Sequence, residues 1–199
     1  MHRLALGLLA LAIGCASTQA PPGPARAPLP AGWRLDDSTR ELVHVGSLFH
    51  FAAIHRGCAR VDPHAYDASG ANVSVGYNCA DRVLWLTFYV YPSSFGGAPD
   101  PTAHFRMVVS DALVSHDGAE VERAVQMNLP LGSRIMTGYN AFLHWYERDD
   151  EIGSFVVLIP DGDRFVKVRT SFLLDGTARP VDDAWGFTLD LLRTAAPAA

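Results

Sequence analysis

The chain has 199 residues, 49% of them hydrophobic and 19% charged, which is enough apolar material for a buried core and excludes a disordered polypeptide. Its formal net charge is −5 with no cluster of Lys or Arg, which excludes a nucleic-acid partner recruited by charge. Lys167 is the one lysine; every other cationic side chain of the Lys/Arg class is Arg.

The first segment is a short basic start, Met1-His2-Arg3, followed by an apolar run from Leu4 to Ile13 and by Gly14-Cys15. That is the layout of a secretory signal. As a helix the run reaches about 15 Å, half of the hydrocarbon layer, so it does not span a membrane. The ending Leu11-Ala12-Ile13-Gly14-Cys15 resembles the bacterial lipobox. The resemblance implies removal of residues 1–14, acylation of Cys15 with diacylglycerol and a further acyl chain such as palmitate, and a lipoprotein of the cell envelope. Ala16 stands where lipoproteins kept at the inner membrane often carry Asp, so the same resemblance points to the outer membrane. Ordinary signal cleavage after Thr18-Gln19-Ala20 is the alternative, disfavoured by Pro21 just past that bond.

Residues 15–31 are rich in Pro and Ala and nearly free of large apolar groups, which predicts an extended lipid-anchored tether. At about 3.1 Å per residue, sixteen such residues reach up to about 50 Å. Composition changes at Gly32-Trp33, where the single domain, residues 32–194, is expected to begin; residues 195–199 are expected to be a disordered tail.

Between Leu35 and Gly57 two readings compete. Ser38 with Glu41 fits a capping box for a helix over residues 39–56. Gly46-Ser47 fits a type II′ turn between two short strands, and the aromatic and β-branched content favours that hairpin. Val73, Val75 and Tyr77 alternate with polar residues and predict a strand covered on one face, whereas the apolar run from Val83 to Tyr91 predicts one covered on both. Asp100, Pro101 and the series Phe105, Val108, Val109, Ala112 and Leu113 predict an amphipathic helix. Strands follow at Val121–Leu129, Ile135–Glu147 with Gly138 as a bend, Ser154–Ile159 and Phe165–Phe172. In the last, Val166, Val168, Thr170 and Phe172 face one way, and Lys167 and Arg169 the other. Asp182 is read as the cap of a closing helix with Trp185, Leu189 and Leu192 on one stripe.

Strands, one helix, consecutive hairpins and a final helix predict an α+β fold with a mostly antiparallel sheet and two amphipathic helices packed on it. Pro30-Ala31-Gly32-Trp33, Asn72-Val73-Ser74-Val75, the Val166–Phe172 strand and the terminal helix resemble the PsbP family. That resemblance implies an αβα sandwich.

Cys58 and Cys79 remain as an even pair once Cys15 is assigned to lipid, and in an oxidising envelope they are expected to form a disulfide. No hydrolase, zinc, phosphate-loop or dinucleotide motif occurs in the sequence. His44, His50, His55 and His64 have neither strand nor helix spacing for a metal face, so no catalytic, cofactor-binding or metal residue is assigned. Asp62, Asp67 and Asn72 are read as turn residues, and Glu147, Asp149, Asp150 and Glu151 as a solvated hairpin tip. The expected function is a membrane-tethered, non-catalytic module that offers a surface to an envelope protein or a site to a small ligand. The alternative is an envelope hydrolase or other enzyme in which His144, His64 and nearby carboxylates converge.

Overall fold

A computed structural model describes residues 28–80, 83–95 and 100–196. The leader, Cys15 and most of the tether lie outside the described residues. Short strands come first: β1 (Trp33–Leu35), β2 (Leu42–His44), β3 (His50–Phe51), β4 (Ile54–His55), β5 (Cys58–Arg60) and β6 (His64–Ala65). Longer ones follow, β7 (Val73–Asn78) and β8 (Leu84–Pro92), then helix α1 (Pro101–Val114). The meander β9 (Glu120–Leu131), β10 (Arg134–Glu147), β11 (Asp150–Asp161) and β12 (Arg164–Leu173) leads to α2 (Arg179–Ala195).

The hairpin alternative prevails for residues 39–56. Leu42 pairs with Phe51 and Val43 with His50, because this places Leu42, Phe49 and Phe51 in the core. The turn is not type II′: the left-handed residue is Leu48, at φ 59°, and not Gly46. In the meander, two-residue connections at Gly132-Ser133, Arg148-Asp149 and Gly162-Asp163 join long antiparallel partners, as alternation and turn chemistry predict. Gly138 is not a bend. It pairs in register with Met127, and a Cβ there would come within 2.8 Å of both Leu129 Cδ1 and the Leu158 carbonyl oxygen, so packing of neighbouring strands requires its bare backbone.

The main sheet runs β4-β5-β7-β8-β12-β11-β10-β9, with β6 beside β7, and every recorded pairing is antiparallel. One face carries Val75, Phe88, Val157, Val166, Val168 and Phe172 against α2, whose Phe187, Leu191 and Leu192 are buried. The small sheet β1-β2-β3 covers the rest of that face: Phe49 and Phe51 meet the Phe88 ring edge-on at 5.4 and 5.1 Å. The opposite face buries Tyr91, Phe165, Leu158, Ala141 and Leu143 under Phe105, Val109 and Ala112 of α1.

The expected α+β class and αβα sandwich are therefore corrected: the fold is β-rich, with twelve strands and two helices among the described residues. A helix about 10 Å wide covers about two strands at about 4.8 Å spacing, so one helix per face cannot form a layer over this sheet. Strands of the small sheet supply the missing cover on one face, and Glu120–Gln126 of β9 is left exposed.

Helix α1 starts as its sequence requires. The Asp100 carboxylate accepts from the backbone N–H groups of Thr102 and Ala103, and Pro101 opens the first turn. Helix α2 starts earlier than expected, at Arg179, with Asp182 inside its first turn rather than at its cap. Its end packs, with Ala195 and Ala196 buried, and residues 197–199 lie outside the described residues. No helix among the described residues is long and apolar enough to cross a membrane.

Candidate functional site

Strand alternation places Phe165, Lys167, Arg169 and Ser171 of β12 on the face that α1 partly covers. Lys167 stands opposite Tyr89 of β8 and Phe165 opposite Tyr91. Between this ladder and α1 lies a cavity of about 230 Å³ whose walls include Tyr66, Tyr89, Tyr91, Met107, Asp111 and Lys167. His104 and Phe95 complete one end. The walls are mostly aromatic and aliphatic, with a single cation inside, the composition usual for a small-molecule pocket.

The Lys167 ammonium lies 4.0 Å from the centre of the Tyr89 ring and 5.9 Å from that of Tyr91. It forms no ion pair among the described residues: Asp111 shares the cavity without closing to contact, and Arg169 follows two residues later on the same face. Burial, and secondarily the Arg169 charge, push the Lys167 amine down to about 8. Burial likewise raises both tyrosine phenols, so they stay neutral hydroxyls. The Tyr66 ring stacks toward Tyr89 at 6.4 Å and its hydroxyl reaches Ser74 Oγ at 3.0 Å, which fixes the outer wall.

His104 projects from the first turn of α1 into the protein, where its ring stacks on Phe165 at 4.4 Å. Its Nε2 shares a hydrogen bond of 2.9 Å with Tyr91 Oη, and Nδ1 is buried without a partner among the described residues. Burial and the neighbouring Lys167 both hold its pKa below the usual histidine value.

Arg169 points away from the cavity toward β10. Its guanidinium lies 5.7 Å from the Trp145 ring and donates to His116 Nε2 at 2.6 Å. A guanidinium has no lone pair, so His116 accepts and is neutral, consistent with a pKa lowered by burial and by Arg169. The His116 ring is stacked on Trp145 at 4.0 Å.

The other histidines are dispersed in structural roles. His50 faces Glu41 and His55 faces Asp190, each at 3.3 Å, and His144 faces Glu151 at 3.6 Å. His44 is buried: Nε2 donates to the Gly70 carbonyl at 2.9 Å and Nδ1 accepts from Ser47 at 2.7 Å, tying the β2–β3 turn to the Gly70 loop. His44 and His104 are thus buried, a placement that their spacing in the sequence does not reveal. His64 and His144 do not converge. Their strands are separated by β7, β8, β12 and β11, which is five strand spacings or about 24 Å at about 4.8 Å per spacing. Asp67 accepts from the backbone N–H groups of Ala71 and Asn72 and from Ser69, as a turn residue does.

Cys58 and Cys79 form a disulfide, with Cα atoms 4.2 Å apart. They stand opposite each other one step beyond the Ala59–Asn78 pair of β5 and β7. Cys15, the expected lipid anchor, lies outside the described residues.

No protein-family profile and no curated protein matches the chain. Among solved structures, it is similar to protein PA94 of Pseudomonas aeruginosa, itself of unknown function, at 8% identity and a TM-score of 0.43, over 75% of this chain and 90% of that one. A superposition that loose assigns no activity.

Proposed function

We propose that the chain is a lipid-anchored protein of the cell envelope, held at the outer membrane through Cys15, whose domain is a non-catalytic module that binds a small ligand in the cavity between α1 and the β8–β12 ladder. The observation that carries this reading is the cavity itself. It is concave, walled by Tyr66, Tyr89, Tyr91 and Met107, and holds one cation in place of a nucleophile and base in contact. The imidazole nearest to it, His104, is already engaged with Tyr91 and stacked on Phe165. The hydrolase alternative needs His64 and His144 together, and their placement about 24 Å apart weighs against it.

The test is a two-dimensional NMR screen of the full-length protein in detergent with small aromatic and branched aliphatic compounds, neutral and charged. Amide shifts are expected to cluster at Tyr66, Tyr89, Met107 and Lys167. A screen in which no compound perturbs these positions at millimolar concentration contradicts the reading.

A further inference from the structure

We infer that the ligand class of this cavity is an organic monoanion, a carboxylate on a compact aromatic or branched apolar body, with Lys167 as the anchoring cation; the inference rests on the ligand-binding reading above. Lys167 sits on a central strand, flanked by β8 and β11, where a cation loses most of its hydration and is normally repaid by a carboxylate. None is in contact. The ammonium rests on the face of Tyr89, an arrangement that is weaker than an ion pair and that a carboxylate entering the cavity can supplement.

The surroundings sharpen the sign. Arg169 lies on the same face of the same strand, its Cα about 7 Å away, and it too forms no ion pair among the described residues. The groups that line the cavity with Lys167 are the neutral Tyr89 and Tyr91 on β8, Tyr66 from the loop after β6, and His104 and Asp111 on α1, and Arg169, turned away toward β10, acts on Lys167 through its charge. Only Asp111 is anionic, and it is exposed. At Lys167 the charge of Arg169 outweighs that of Asp111, so the potential at this end of the cavity is positive inside a chain whose net charge is −5. That acidity disfavours polyanions, while one enclosed cation suits one negative charge. At about 230 Å³ the space holds a single ring or a short branched chain behind the carboxylate, in contact with Met107 and the tyrosines.

Benzoate and its neutral counterpart benzamide differ in charge at nearly constant shape. Isothermal titration of the full-length protein at pH 7 is expected to show benzoate binding about tenfold more tightly, the margin between a charge-assisted and a neutral hydrogen bond. Lys167→Met should abolish that preference, lowering benzoate affinity until it matches that of benzamide, whereas Lys167→Arg should retain it; an unaltered circular-dichroism spectrum confirms that each variant is folded. Equal affinities in the wild type, or a preference that survives Lys167→Met, would overturn the anion assignment and leave the ligand-binding reading standing. Failure of both compounds to bind the folded wild type at millimolar concentration would overturn both.

Discussion

Lys167 and Tyr89 are directly paired across the β12–β8 ladder, and the lysine ammonium rests 4.0 Å from the centre of the tyrosine ring. The contact joins two sequence features that look unrelated, the chain's one lysine and the aromatic end of its most apolar strand. It also imposes a cost, since the charged amine is held in a site that favours the neutral form.

That cost fixes a pH dependence. The Lys167 amine titrates near 8 in the folded domain and near its ordinary value of 10.5 when unfolded, so between these values the unfolded state binds more protons. Stability is therefore expected to rise as pH increases from about 8 to about 10. Lys167→Met should flatten this rise and be as stable as wild type, or more so, at pH 7. Urea unfolding at pH 7, 8.5 and 9.5 checks both statements; a stability that falls over this range in the wild type contradicts them.

Acid acts on a different set. His44, His55, His104 and His116 all have pKa values held below 6.5, in each case chiefly by burial. The unfolded chain takes up these protons first, so the stability is intact above about pH 6.5 and is lost as pH falls through the folded values. Each such histidine contributes a slope of up to about 1.4 kcal/mol per pH unit. Chemical denaturation is expected to give a lower midpoint at pH 5.5 than at pH 7.5, and an equal or higher midpoint at pH 5.5 would refute the assignment.

The Cys58–Cys79 bond closes a loop of 21 residues' separation that contains the polar Asp62–Gly70 connection. Loop-closure entropy assigns it about 3 kcal/mol. The double variant Cys58→Ser/Cys79→Ser should melt about 6–12 °C below the oxidised wild type. Equal melting temperatures would mean that the loop is ordered without the bond.

Asp100 caps the helix that roofs the cavity. Asp100→Ala removes the acceptor for the Thr102 and Ala103 N–H groups and should cost about 1 kcal/mol. Hydrogen exchange should quicken in the first turn of α1 and leave the β11–β12 ladder unaffected. Exchange that quickens equally in both would show that the cap supports the whole domain.

Much of this architecture is legible in the sequence. The meander β9–β12 follows from period-two alternation and short turns, α1 from Asp100-Pro101 and its apolar stripe, and the disulfide from two cysteines left at the end of neighbouring strands. The fragments β1 to β6 are two or three residues each, too short to carry a period, and they form part of the cover that the sequence attributed to helices. The site was hidden for a related reason. Alternation on β12 separates Lys167 and Arg169 from Val166 and Val168 but does not reveal that α1, more than fifty residues upstream, covers part of their face too. A partial signal was present in β8, whose apolar positions predict cover on both faces; the structure gives that cover at Tyr91 and leaves Trp85 exposed on the same face.

Because the chain has one lysine, the titration of Lys167 can be followed without assignment by carbon NMR of protein labelled at the lysine side chain. The free full-length protein is expected to give a midpoint of about 8, shifted upward by saturating benzoate as the bound carboxylate stabilises the ammonium. A midpoint at the ordinary lysine value, unmoved by benzoate, would contradict both the enclosed cation and its role as an anchor.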